Sequence, residues 1–189
     1  MALSIVERIK GFLMNPVDTF QATKDDDLGE VITYFVVLLL INAVLSGLLM
    51  MVGVGAFADV PGMGAGIGVA TVIVAIIAVI VAGIIGIFIA GLILHLFVLL
   101  LIGGNGVGQS IKAMAYGATP GMLLGWIPIV NLLAGLWSVV LYILGVRELH
   151  ETTTGRAAAA VLLPVIIIFI LGFVLLAAVV AYFSFAPVA

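Results

Sequence analysis

Two histidines and a short acidic corner are the residues best equipped for chemistry. His95 lies inside a long apolar run, about two helical turns before Gly103. Glu148, His150 and Glu151 follow the end of another apolar run, with Arg147 and Arg156 beside them. Ionisable side chains at membrane depth are expensive to keep and often functional. A convergence of His95, Glu148 and His150 would offer nitrogen and oxygen ligands to a divalent metal. Nothing in their spacing requires it, so the expectation is a neutral His95 bonded to a neighbouring helix, a solvated Glu148–His150 corner, and no metal or cofactor. Catalytic constellations are missing from the sequence: there is no Gly-x-Ser-x-Gly elbow, no Cys, and no Asp in the apolar spans for an intramembrane aspartyl site. The chain reads as a non-enzyme.

Other polar features have structural readings. Asp25, Asp26 and Asp27 could suit a hard cation, but Asp27 with Glu30 three residues later is a helix-capping pattern. The stretch Gly103-Gly104-Asn105-Gly106 contains Gly-x-Gly spacing without the strand or the Lys-Ser/Thr pair of a nucleotide site, so it reads as a turn, with Ser110 as cap of the next helix. Pro120 cannot donate to the carbonyl of Tyr116 and should kink or break its helix.

The elements that must hold these residues are membrane helices. The chain of 189 residues is 66% hydrophobic with a mean hydropathy of +1.50, too much apolar surface for a soluble core. No charged residue occurs from 60 through 111, from 113 through 146, or after 156. The apolar runs predict an all-α bundle of five transmembrane helices, about 31–52, 67–102, 110–127, 131–149 and 157–184, forming one domain over 31–189. Residues 1–30 form a cytoplasmic segment. In it Leu3, Val6, Ile9 and Leu13 share one side of an amphipathic helix, and Glu7, Arg8 and Lys10 the other. Asn15-Pro16 ends that helix, and no signal-peptide pattern is present.

Five crossings place Arg8, Lys10, Lys24, Lys112, Arg147 and Arg156 on one side and leave only Asp59 on the other. By the positive-inside rule this is a multi-pass protein of the cell membrane with its N-terminus in the cytoplasm and its C-terminus outside. The net charge of −3 argues against nucleic acid as a partner. The bilayer is the certain partner, with other membrane proteins or a second copy as further ones.

Small residues mark the expected helix contacts, because helices in lipid associate through close backbone approach. Ala78, Ala82, Gly86 and Ala90 recur every fourth residue on the second span, with Gly83 and Gly91 beside them. Asn131, Gly135, Ser138, Tyr142 and Gly145 form a seam on the fourth. Both stripes should face the bundle interior. A competing reading makes Asn131, Ser138 and Tyr142 part of a solute path, with the Pro120 break and His95, in a small-solute or ion transporter.

The loops also resemble a family. Asn15-Pro16 and Phe20 precede the first span; Gly91-Leu92-Ile93-Leu94-His95, Gly103-Gly104-Asn105-Gly106, and Tyr116 with Pro120 follow in order. Then come Leu136-Trp137-Ser138-Val139-Val140-Leu141, Gly145-Val146-Arg147-Glu148-Leu149-His150 and Thr154-Gly155-Arg156-Ala157. Together, over roughly residues 12–170, they resemble the Yip family of five-span membrane proteins, and the last group looks most like its prokaryotic branch. The resemblance implies five helices, a cytoplasmic N-terminus and a membrane-organising or trafficking-like role. Eukaryotic members bind Rab GTPases of the Ypt type through a long N-terminal region. Only about thirty residues precede the first span here, so GTPase binding is not carried over.

Overall fold

The computed structural model describes residues 3–53 and 68–185, with side chains described through 182. Asp59 and position 188 lie outside them. The described residues form eight helices and no strand: α1 (Ile5–Met14), α2 (Pro16–Ala22), α3 (Leu28–Met51), α4 (Val69–Leu101), α5 (Val107–Gly117), α6 (Thr119–Leu124), α7 (Val130–Leu149) and α8 (Thr154–Phe185).

Local chemistry sets these boundaries. Ser4 and Glu7 form a capping box that starts α1, with Glu7 N–H donating to Ser4 Oγ and Ser4 N–H to Glu7 Oε2. Pro16 opens α2, where its missing N–H costs nothing. Asp27 Oδ1 accepts from Glu30 N–H at 2.9 Å and caps α3. Gly106, not Ser110, precedes α5, so the helix starts earlier than expected and Ser110 falls inside it. Gly104 has φ +56°, and a Cβ there would meet Val98 Cγ1 at 2.6 Å and His150 Nδ1 at 3.3 Å, so both conformation and space reserve the position for glycine.

Among the described residues four helices are long and apolar enough to cross a membrane: α3, α4, α7 and α8. The expected third span, 110–127, is not one helix. It is divided between α5 and α6 at Ala118, next to Pro120. The physical cause is the one the sequence contains, since Pro120 cannot continue the hydrogen-bond ladder to Tyr116. The freed carbonyl is not left open, because Thr119 Oγ1 donates to Tyr116 O at 2.6 Å. Tyr34 Oη lies 2.8 Å from Thr119 Oγ1 and, the Thr119 proton being engaged, is the donor of that pair.

The α5–α6 pair nevertheless progresses steadily along its neighbours. Against α3 and the residues just before it the pairings run Asp26 with Tyr116, Tyr34 with Thr119, and Asn42 Nδ2 with Met122 O at 2.8 Å. Against α7 they run in reverse: Gly145 lies on Ala113, Gly117 on Tyr142, and Gly121 N–H donates to Ser138 Oγ at 3.1 Å. The pair is therefore parallel to α3 and antiparallel to α7.

The core gathers at the end of the bundle where α1 and α2 lie. Phe12 and Phe20 make edge contact at 4.8 Å, Phe12 stacks on Tyr116 at 4.7 Å, and Tyr34 meets Tyr116 at 5.3 Å. All four are fully buried. The Phe20 ring occupies the space that a side chain at Gly145 would need, so α2 packs directly on α7. The remaining surfaces of α4 and α8 are apolar and largely open, as lipid-facing helices require.

Candidate functional site

Polar residues collect in a layer at this same end of the bundle. His95 on α4, Ser110 on α5 and His150 after α7 form a hydrogen-bonded chain. Asn105 N–H donates to His150 Nδ1 at 2.9 Å, Ser110 Oγ lies 3.0 Å from His150 Nε2, and His95 Nδ1 lies 3.1 Å from Ser110 Oγ. A backbone N–H can only donate, and that fixes every proton along the chain. His150 accepts at Nδ1, so its proton is on Nε2 and goes to Ser110 Oγ. Ser110 then donates to His95 Nδ1. Both imidazoles are neutral in this arrangement. Burial first, and the nearby His95 second, push the His150 pKa down to about 4. Asn105 Nδ2 also donates to Leu149 O at 3.2 Å, tying the glycine-rich turn to the end of α7.

Glu148 does not join the histidines. It accepts from Arg147 Nε at 2.6 Å and from Gln21 Nε2 at 2.8 Å, on the side facing α2. Among the described residues no three His, Asp or Glu side chains gather as a metal-holding group. The expected solvated corner is also corrected, because His150 is only 4% exposed. Glu148 and His150 are two positions apart, about 200° around the helix axis, so their side chains leave the end of α7 in opposite directions.

A second cluster centres on Arg8, which is 4% exposed and not on the solvent side of α1 as expected. Its Nη2 lies 3.0 Å from Asp26 Oδ2 and 2.8 Å from Glu30 Oε2. Burial opposes the Arg8 charge, but the Glu30 and Asp26 carboxylates outweigh it and hold the pKa above its ordinary value. Tyr116 Oη donates to the same Asp26 oxygen, and the guanidinium carbon sits 6.0 Å from the Tyr116 ring centre. Lys112 is also buried, and its Nζ donates to Lys24 O at 2.6 Å, which Gln109 Nε2 also reaches at 3.3 Å. Lys24 itself pairs with Glu151. These bonds fasten the segment before α3 onto α5 and the α7–α8 turn. Arg8 and Phe12, one helical turn apart and both buried, were the available signal for this docking.

The small-residue stripes are only partly interfacial. Ala78 and Ala82 are exposed, Ala90 is half-buried, and a side chain at Gly86 would meet nothing within 4 Å. The close approach on α4 runs along the adjacent face, where a Cβ on Gly83 would strike Leu39 and one on Gly91 would strike Ile111. The expected stripe is thus rotated by about one residue, because regular spacing on an all-apolar helix does not say which face is covered. On α7, Ser138 and Gly145 are buried contacts and Tyr142 packs on Gly117, while Asn131 is exposed and Gly135 opens to free space.

An all-helical assembly whose long helices present apolar faces outward and polar links inward defines an integral, multi-pass membrane protein. The Yip1 domain family model matches residues 10–176, nearly the whole chain. The chain belongs to the Yip family. No curated protein and no solved structure matches it.

Proposed function

We propose that this Yip-family protein is a non-enzymatic, membrane-organising scaffold of the cell membrane that crosses the bilayer five times, with residues 1–30 in the cytoplasm and the C-terminus outside. The third crossing is made by α5 and α6 together as a broken helix. Their antiparallel register with α7 and parallel register with α3 support this reading, since a re-entrant hairpin would reverse direction along both neighbours. Orientation rests on the one-sided distribution of Lys and Arg.

The scaffold role is carried by one observation: three sets of polar side chains within the bundle bond across from one helix to another. His95, Ser110 and His150 join α4, α5 and the α7 end; Tyr34 and Thr119 join α3 to α6; Ser138 joins α7 to α6. Bonds of this kind fix a shape, with lipid and neighbouring membrane proteins, or a second copy, as its partners. The carbonyl released by Pro120, which a transporter would use for an ion, is occupied by Thr119. Reconstitution of the purified protein in liposomes tests the role. No proton- or cation-dependent flux is expected. Flux that disappears in His95→Gln would establish a transporter instead.

A further inference from the structure

Helix α1 is turned the wrong way for a helix whose outer side meets water. Its Arg8 faces the bundle at 4% exposure, whereas Val6 and Met14 face away at 59% and 85%. Val6, Lys10 and Met14 follow one another at every fourth position and share one stripe, opposite the side that buries Arg8 and Phe12. Glu7, at the edge of the stripe, spends its carboxylate on the Ser4 N–H and hydroxyl at the start of the same helix.

The depth of this stripe follows from what the other side of α1 touches. Ile5 borders the same depression as Thr33 and Tyr34, and the Phe12 ring lies 6.2 Å from the Tyr34 ring. Tyr34 stands six residues inside α3, a crossing helix, or about 9 Å past its first residue. α1 also touches α6, which begins at Thr119, level with Tyr34. The helix therefore lies beside the first two turns of α3 and not above them. At that level a face pointing away from the bundle meets headgroups and the first methylenes of the acyl chains.

We infer that α1 is an in-plane helix of the cytoplasmic leaflet, with Val6 and Met14 against acyl chains and the Lys10 ammonium reaching lipid phosphates. A lysine stem can lie along apolar surface while its head stays among polar groups, so the cation does not interrupt the stripe. A protein partner would have to bury Lys10 or answer it with a carboxylate; the leaflet offers phosphate at the height the stem reaches. Phosphate is common to all phospholipids, so no particular headgroup is selected. The inference rests on α3 crossing the membrane, keeps α1 on the cytoplasmic side, and is independent of the scaffold role.

Spin labels on single cysteines of the full chain in phosphatidylcholine vesicles test it, by comparing collisions with oxygen, which concentrates in lipid, and with a nickel chelate, which stays in water. Val6→Cys and Met14→Cys replace exposed side chains and should leave the fold intact. Both labels should meet oxygen several-fold more effectively than the chelate, and Asp18→Cys, exposed on α2, should show the reverse. Leu40→Cys, exposed midway along α3, reports independently whether that helix crosses. Chelate-dominated access at Val6→Cys or Met14→Cys, with Leu40→Cys in lipid, would overturn the placement of α1 and leave the crossing helices standing. Chelate-dominated access at Leu40→Cys would overturn both.

Discussion

At the scale of single residues the His150 imidazole carries the sharpest consequence. Its Nδ1 accepts from Asn105 N–H, and protonation would set two donors against each other in a buried site. The folded-state pKa, near 4, lies below the ordinary value of 6.5, so between these two values the unfolded chain binds more protons than the folded one. Stability conferred by the neutral ring is present above about pH 6.5 and is lost as pH falls toward 4, by up to roughly 3 kcal/mol. Thermal unfolding in detergent from pH 7 to pH 4.5 should show this decline, and His150→Gln should start from a lower midpoint and decline less. A decline of the same size in the variant would assign the pH dependence to other groups. The sequence made His95 and His150 visible as candidates, and the structure brings them to one serine. Ser110 was invisible in that role, because a hydroxyl between two histidines has no spacing signature when the three sit on three separate segments.

Between elements, the close contacts decide which glycines matter. A methyl at Gly91 would lie 3.1 Å from the Ile111 backbone and closer still to its side chain, whereas one at Gly86 meets nothing. Gly91→Ala should therefore destabilise the bundle by about 1–3 kcal/mol, as overpacking does. Gly86→Ala should be neutral or stabilising by up to about 1 kcal/mol, the helix-propensity difference. Comparable losses in both would mean that the Ala78–Gly86 face is covered by a partner. The break at Pro120 gives a second case. Thr119→Val keeps the shape of the side chain but strands Tyr116 O and the Tyr34 hydroxyl, so a loss of about 1–3 kcal/mol is expected, and Tyr34→Phe should soften that loss in the double variant. Additive effects would contradict the shared bond. The N-terminal helices give a third: Phe12 stacks between Phe20 and Tyr116, and Phe12→Ala should cost about 3–5 kcal/mol rather than merely loosening a surface helix. From sequence, the amphipathic pattern of residues 3–13 was legible, but its apolar face could equally meet lipid or protein. Only the docking partner, assembled from α2, α3 and α5, distinguishes the two.

For the molecule as a whole, the membrane class was legible because hydropathy and charge are sums over many residues and survive local errors. Helix limits followed the apolar runs closely, with α3 beginning at Leu28 and α7 at Val130. The break in the third span was legible, because Pro120 predicts a kink or break there, whereas the start of its first half at Val107 and the end of its second at Leu124 were not. Face assignments on α4 and α8 were the least legible, because nearly every residue there is apolar and periodicity carries no contrast. What joins these observations is the direction of α5–α6. If that pair spans the bilayer, the termini lie on opposite sides and all six Lys and Arg residues on one; if it turns back, they do not.

Single-cysteine variants in this cysteine-free chain measure that directly, using a membrane-impermeant thiol reagent on intact cells. Lys10→Cys, Asn105→Cys and Thr152→Cys should stay unlabelled until the membrane is opened, and Asp59→Cys and Val188→Cys should label from outside. Labelling of Asn105→Cys in sealed cells, or protection of Val188→Cys together with Lys10→Cys, would contradict a five-span protein with a cytoplasmic N-terminus.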